Sequence, residues 1–104
     1  MRQYTNKEQT QHLIELGFSR PESISEVNYY DEAYTTETEF EYDYSIGKLL
    51  SFLDGYMTEP TDELLIWRDM LFWYVRFASD MECSCYDPEL VNTLYNYLVL
   101  LKEE

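Results

Sequence analysis

Basic residues are scarce in this chain: seven Lys and Arg stand against 21 Asp and Glu, a formal net charge of −14 over 104 residues. A field of that sign repels nucleic acid and anionic membrane surfaces, so neither is expected as a direct partner. A basic protein surface is expected instead. Long apolar runs are missing too. No stretch approaches the 18 residues of a membrane span, and the opening MRQYTNKEQTQHLIEL has no apolar signal core. These absences point to a cytoplasmic chain.

The residues of active sites are equally thin. His12 is the only histidine, and the two cysteines, Cys83 and Cys85, stand one residue apart in MECSCYD. That spacing is too tight for an ordinary structural disulfide and supplies at most part of a zinc site, so reduced thiols and no metal are expected. The three glycines, Gly17, Gly47 and Gly55, fall at or near predicted helix ends rather than in a phosphate-binding loop. No Gly-x-Ser-x-Gly elbow is present, and the acids lack the spacing of an EF-hand loop. Carboxylate pairs mean little where 21 acids guarantee proximity by chance. The expectation is a chain with no catalytic residues and no cofactor.

What remains is a good core composition. Apolar residues make up 45% and aromatics 17%, enough for one domain spanning 1–104. Thr5 and Glu8 fit a capping box, Leu13, Ile14 and Leu16 form a stripe, and Gly17 suits a left-handed C-terminal cap, predicting a helix over about 6–16. His12 lies off that stripe and is expected at an exposed or edge position. Ser45 caps a second helix over about 45–54, with Ile46, Leu49, Leu50 and Leu53 buried and Gly55 closing it. Asp87-Pro88-Glu89 starts a third, over about 88–102, carrying Leu90, Leu94, Leu98 and Leu101.

Between Arg20 and Lys48 lie eight acids and no base: Glu22, Glu26, Asp31, Glu32, Glu37, Glu39, Glu41 and Asp43. From Glu37 to Asp43 the acids alternate with Thr38, Phe40, Tyr42 and Tyr44, the period of a strand with one charged and one aromatic side. A strand over about 36–43 with its carboxylates outward is expected. Its charges would stand about 6.6–6.8 Å apart, whereas B-DNA presents one every ~1.7 Å of axis. Mimicry of nucleic acid therefore needs flanking acids such as Asp31 and Glu32. The bland alternative is an edge strand whose charges discourage stray sheet pairing.

DELLIWRDMLFWYVRFASD admits two readings. As a helix, Asp62, Asp69 and Arg76 share a polar stripe. As strands over about 64–68 and 71–79, the density of Ile, Trp, Phe, Tyr and Val suits a pleated surface, with Leu71, Trp73, Val75 and Phe77 facing one way and Phe72, Tyr74, Arg76 and Ala78 the other. Pattern favours the strands, although Arg68-Asp69 is a poor two-residue turn.

YTNKEQTQHLIELGF, YSIGKLLSFL, LLIWRDMLFWYVRF and DPELVNTLYNYLVLLKEE, taken in order, resemble small proteins of unknown function encoded by phages and mobile elements of gut bacteria. The resemblance implies two strands rather than a helix at 64–79 and carries over no catalytic residue. The chain departs from that pattern at Asp54-Gly55, where a proline often follows the Leu-Leu helix, and in its acidic 21–44 segment.

The combined expectation is an α+β domain with a small antiparallel sheet (about 36–43, 64–68 and 71–79) against three helices. It would act as a non-enzymatic module that binds a basic protein through Asp31, Glu32, Glu37, Glu39, Glu41, Tyr42 and Asp43. A nucleic-acid mimic is its sharpest form. The alternative is a homo-oligomer associating through the apolar C-terminal helix.

Overall fold

The computed structural model describes residues 2–21, 23–24, 42–57, 61–81 and 85–103. Helix α1 (Lys7–Glu15) is followed by the short strands β1 (Ser23–Ile24) and β2 (Tyr42–Asp43) and by helix α2 (Ile46–Asp54). Then come β3 (Leu64–Asp69), β4 (Phe72–Phe77), β5 (Cys85–Asp87) and helix α3 (Leu90–Glu103). Among the described residues the arrangement is α+β, with three helices and an antiparallel sheet in the order β3-β4-β5.

Local chemistry accounts for the helix ends. The N-cap of α1 is Asn6, one residue beyond the expected Thr5: Asn6 Oδ1 accepts the Gln9 amide at 2.8 Å, and Gln9 Oε1 accepts the Asn6 amide at 3.0 Å. Thr5 is withdrawn from capping because its hydroxyl is buried against Thr10 at 2.7 Å and accepts the Tyr44 amide at 3.1 Å. At the other end the Gly17 amide bonds to Ile14 O and the Phe18 amide to Leu13 O, a Schellman closure with Gly17 at φ 101°. Ser45 caps α2 through the Lys48 amide, as expected. Gly55 ends that helix in the right-handed region at φ −66°, so its role there is not a left-handed cap.

The 64–79 segment forms two strands. Its turn lies at Met70-Leu71, not Arg68-Asp69, and Met70 takes φ 53° to close it. Leu71 is consequently 71% exposed rather than aligned inward with Val75 and Phe77. The third strand of the sheet is Cys85–Asp87, paired to Trp73–Val75, and not the 36–43 segment. Of that expected strand, Tyr42 and Asp43 pair with Ser23 and Ile24 in a separate ladder, while 36–41 lie outside the described residues.

One face of the sheet is covered by α3, which in turn packs on α2. Leu13, Tyr44, Leu49, Leu53, Val75, Phe77, Val91, Leu94, Tyr97 and Leu98 form the core. The N-terminal segment joins this body through main-chain bonds from Thr5 to Tyr44 O at 2.9 Å and from Ile46 to Gln3 O at 3.1 Å. Arg2 ties it to α3, donating its amide to Glu89 Oε2 at 3.0 Å and its guanidinium to Gln9 Oε1 at 2.8 Å and to Asn92 Oδ1.

Candidate functional site

The face of the sheet turned away from α3 is built by register. Directly opposed residues of antiparallel strands share a face, so the pairs Trp67–Tyr74 and Tyr74–Tyr86 lay three aromatic rings in a row across β3, β4 and β5. Trp67 and Tyr74 stack with centroids 5.2 Å apart and planes 6° from parallel. Tyr74 and Tyr86 follow at 5.8 Å, and Phe72 meets the edge of Tyr86 at 5.7 Å and 90°. On the far side of the row, the Arg76 guanidinium lies 5.9 Å from the Trp67 ring and donates to the carbonyls of Phe77 and Ala78 at 3.1 and 3.3 Å.

Among the described residues this face is open. Trp67 is 38% exposed and Tyr86 61%, and the hairpin tip adds Met70 at 87%. The exposed large apolar side chains among the described residues are thus concentrated on the hairpin and on β5, with Met81 just beyond. At the opposite end of the hairpin, Asp62 accepts the Ser79 hydroxyl at 2.7 Å and the Ser79 and Glu63 amides at 3.2 and 2.9 Å. Those bonds, the hydroxyl's first, hold its carboxyl below the usual carboxylate range. The exposed carboxylates of Glu63 and Asp69 bracket β3.

The sequence-predicted site is only partly within the described residues. Asp31, Glu32, Glu37, Glu39 and Glu41 lie outside them, as does the side chain of Tyr42. Asp43 corrects the expectation of an outward acidic row. It is 5% exposed, and its Oδ1 accepts the Thr10 hydroxyl at 2.6 Å. The chain at 42–44 runs between Ser23-Ile24 on one side and Thr5 on the other, so Asp43 and Tyr44 are both enclosed and the in–out alternation has ended there. Tyr44 sends its hydroxyl to Ser19 O, and burial raises its phenol above the usual 10.0.

Other candidates fall to structural duties. His12 is half-buried on Tyr95, whose hydroxyl meets its Nδ1. Cys85 sits half-buried in β5, and Cys83 lies outside the described residues. Among the described residues no three His, Cys, Asp or Glu side chains gather to hold a metal ion, and no helix is long and apolar enough to cross a membrane. The C-terminal helix places Val91, Leu94, Tyr97 and Leu98 in the core and leaves no large apolar side chain exposed.

No protein-family model matches the chain, and neither the curated proteins nor the solved structures contain a significant match to it. Stacked rings, a thioether and a strand edge unpaired among the described residues offer contact surface for a ligand. The sequence pattern contained half of this face in the alternation Phe72, Tyr74, Arg76. It gave no sign of the other half, because Tyr86 stands in a strand of three residues.

Proposed function

We propose that the chain is a non-enzymatic binding module of mobile-element type, acting in the cytoplasm on a basic partner protein. The observation that carries this reading is the open aromatic face of the hairpin, with Trp67, Tyr86, Met70 and Leu71 exposed on one part of an otherwise acidic chain. Aromatic and Met side chains are enriched at protein interfaces, where they supply large contact area. The net charge of −14 adds long-range attraction for a basic surface and disfavours nucleic acid on the same aromatic row.

In its sharpest form the module blocks a DNA-binding or defence protein, with Asp31, Glu32, Glu37, Glu39 and Glu41 supplying the charge that the target normally finds on nucleic acid. Asp43 drops out of that set because it is enclosed. Association through the C-terminal helix has less support, since its apolar side chains are already used in the core.

The test compares wild type with two variants, Trp67→Ser/Leu71→Ser/Tyr86→Ser and Glu37→Lys/Glu39→Lys/Glu41→Lys, in affinity capture at low and high salt. Loss of the captured partner by the first variant supports the hairpin face, and loss by the second supports the acidic segment. A partner held equally by wild type and the hairpin variant sinks the reading. Capture that weakens with salt identifies the electrostatic share.

A further inference from the structure

Among the described residues one edge of β3 is unused. The Ala78 amide donates to Glu63 O at 2.7 Å, which makes Glu63 and Ala78 a hydrogen-bonded pair at the base of the hairpin. Such pairs alternate along an antiparallel ladder, so Leu65–Arg76, Trp67–Tyr74 and Asp69–Phe72 repeat it. The main-chain N–H and C=O groups of Leu64, Ile66 and Arg68 consequently point away from β4. Among the described residues no strand pairs with that side of β3.

The side chains along this edge have a definite order. On the aromatic face it reads Glu63, Leu65, Trp67, Asp69: two exposed carboxylates bracketing a leucine and a tryptophan. We propose that this edge takes an extended segment of the partner as a fourth, antiparallel strand. That segment carries Lys or Arg at its two ends, six residues apart, and apolar residues two and four positions after the first. The inference rests on the binding-module reading and names the partner's chemistry.

The charge order selects the occupant. Opposite charges facing each other across strands stabilise a pair, and like charges destabilise it. Basic ends would meet Glu63 and Asp69 directly, and the apolar residues would meet Leu65 and Trp67. A second copy of this chain fits badly. Full-overlap pairing of two β3 edges about Ile66 sets Glu63 of one against Asp69 of the other at both ends, between molecules that each carry −14. The main-chain groups supply affinity for any extended chain, and the side-chain order supplies the preference, as in other strand-addition interfaces.

The experiment uses the full chain and a blocked synthetic peptide, Lys-Thr-Val-Thr-Val-Thr-Lys, titrated to about 1 mM while amide hydrogen exchange is followed by NMR. Exchange at Leu64, Ile66 and Arg68 is expected to slow. Replacing both lysines by glutamate should weaken binding by about tenfold or more. N-methylation of the three threonines, whose amides would face β3, should abolish binding, whereas N-methylation of the two valines should not.

Absence of binding, binding without protection of those three amides, or equal binding of the threonine-methylated peptide overturns the proposal. So does a homodimer in which the peptide-free chain already protects them. If the peptide fails while Trp67→Ser/Leu71→Ser/Tyr86→Ser still loses its captured partner, strand addition falls and the binding face stands. If that variant keeps its partner, the face itself falls.

Discussion

The Tyr97 hydroxyl accepts the Phe77 amide at 3.0 Å and donates to Asp80 Oδ2 at 2.8 Å. The contact extends the sheet beyond its last described pairing. β5 pairs with β4 as far as Val75, and among the described residues no strand meets the next amide on that side of β4, that of Phe77. Tyr97 of α3, itself fully buried, reaches across and takes its place. One hydroxyl thus fixes the helix against the sheet whose opposite face is the candidate site.

Tyr97→Phe keeps the ring and removes only that hydroxyl, leaving a buried N–H without its acceptor. A loss of about 1–3 kcal/mol is expected, read as a lower urea midpoint. An unchanged midpoint would show that the Phe77 amide finds water instead.

Met70 bends the hairpin at φ 53° with its side chain 87% exposed, so the position costs backbone energy and returns little packing. Met70→Gly should raise stability by about 0.5–1 kcal/mol, the relief of a left-handed conformation less the extra freedom of glycine when unfolded. Met70→Pro, restricted to negative φ, should lower it. Paired thermal melts of the two variants check both signs.

Titration should resolve Asp62 and the buried phenols separately. Asp62 is held below its usual 3.8 first by the Ser79 hydroxyl, so Ser79→Ala should raise its carboxyl pKa in a carbon-detected NMR titration. A lowered carboxylate contributes above its unfolded value and loses that contribution as pH falls through the folded one. Tyr44 and Tyr95 behave oppositely. Burial first raises both above 10.0, with the Coulombic effect of Glu103 adding to Tyr95. The unfolded chain then releases these protons earlier, so stability is full below 10.0 and declines as pH climbs past it. Urea midpoints at about pH 9 and about pH 11 should show the fall, and Tyr44→Phe should reduce it.

Salt should stabilise the fold. With −14 net charge the compact state repels itself, and shortening the screening length from ~10 Å at 0.1 M to ~3 Å at 1 M relieves that repulsion. The melting temperature is expected to rise with sodium chloride. A flat response would mean that the acids do not act on one another.

The parts of the fold that were readable depend on neighbours a few residues apart. Gly17 closing α1, Ser45 opening α2 and Asp87 accepting the Glu89 amide at 2.9 Å ahead of α3 are all contacts within one turn of helix. The density of β-branched and aromatic residues at 64–79 likewise favoured two strands over a helix, although the turn fell two residues later than Arg68-Asp69. The capping box moved from Thr5 to Asn6 because a distant amide, that of Tyr44, claimed the Thr5 hydroxyl.

The candidate site was less legible for the same reason. Trp67, Tyr74 and Tyr86 come from three strands, and a period of two indicates which residues share a face without saying which strand lies alongside. Asp43 looked like the last member of a charged row, yet its surroundings are set by Thr10 and by the Ser23-Ile24 ladder, far off in the chain.

By itself, then, the sequence determined the three helices, the hairpin and the sign of the electric field, since caps, periodicity and charge need no knowledge of what packs against what. Only the tertiary structure decided that β5 joins the sheet, that Asp43 is enclosed, and that one aromatic face and one edge of β3 stay open among the described residues. Those features follow from pairings between residues remote in sequence, where main-chain hydrogen bonds are blind to side-chain pattern and the packed core chooses the partner.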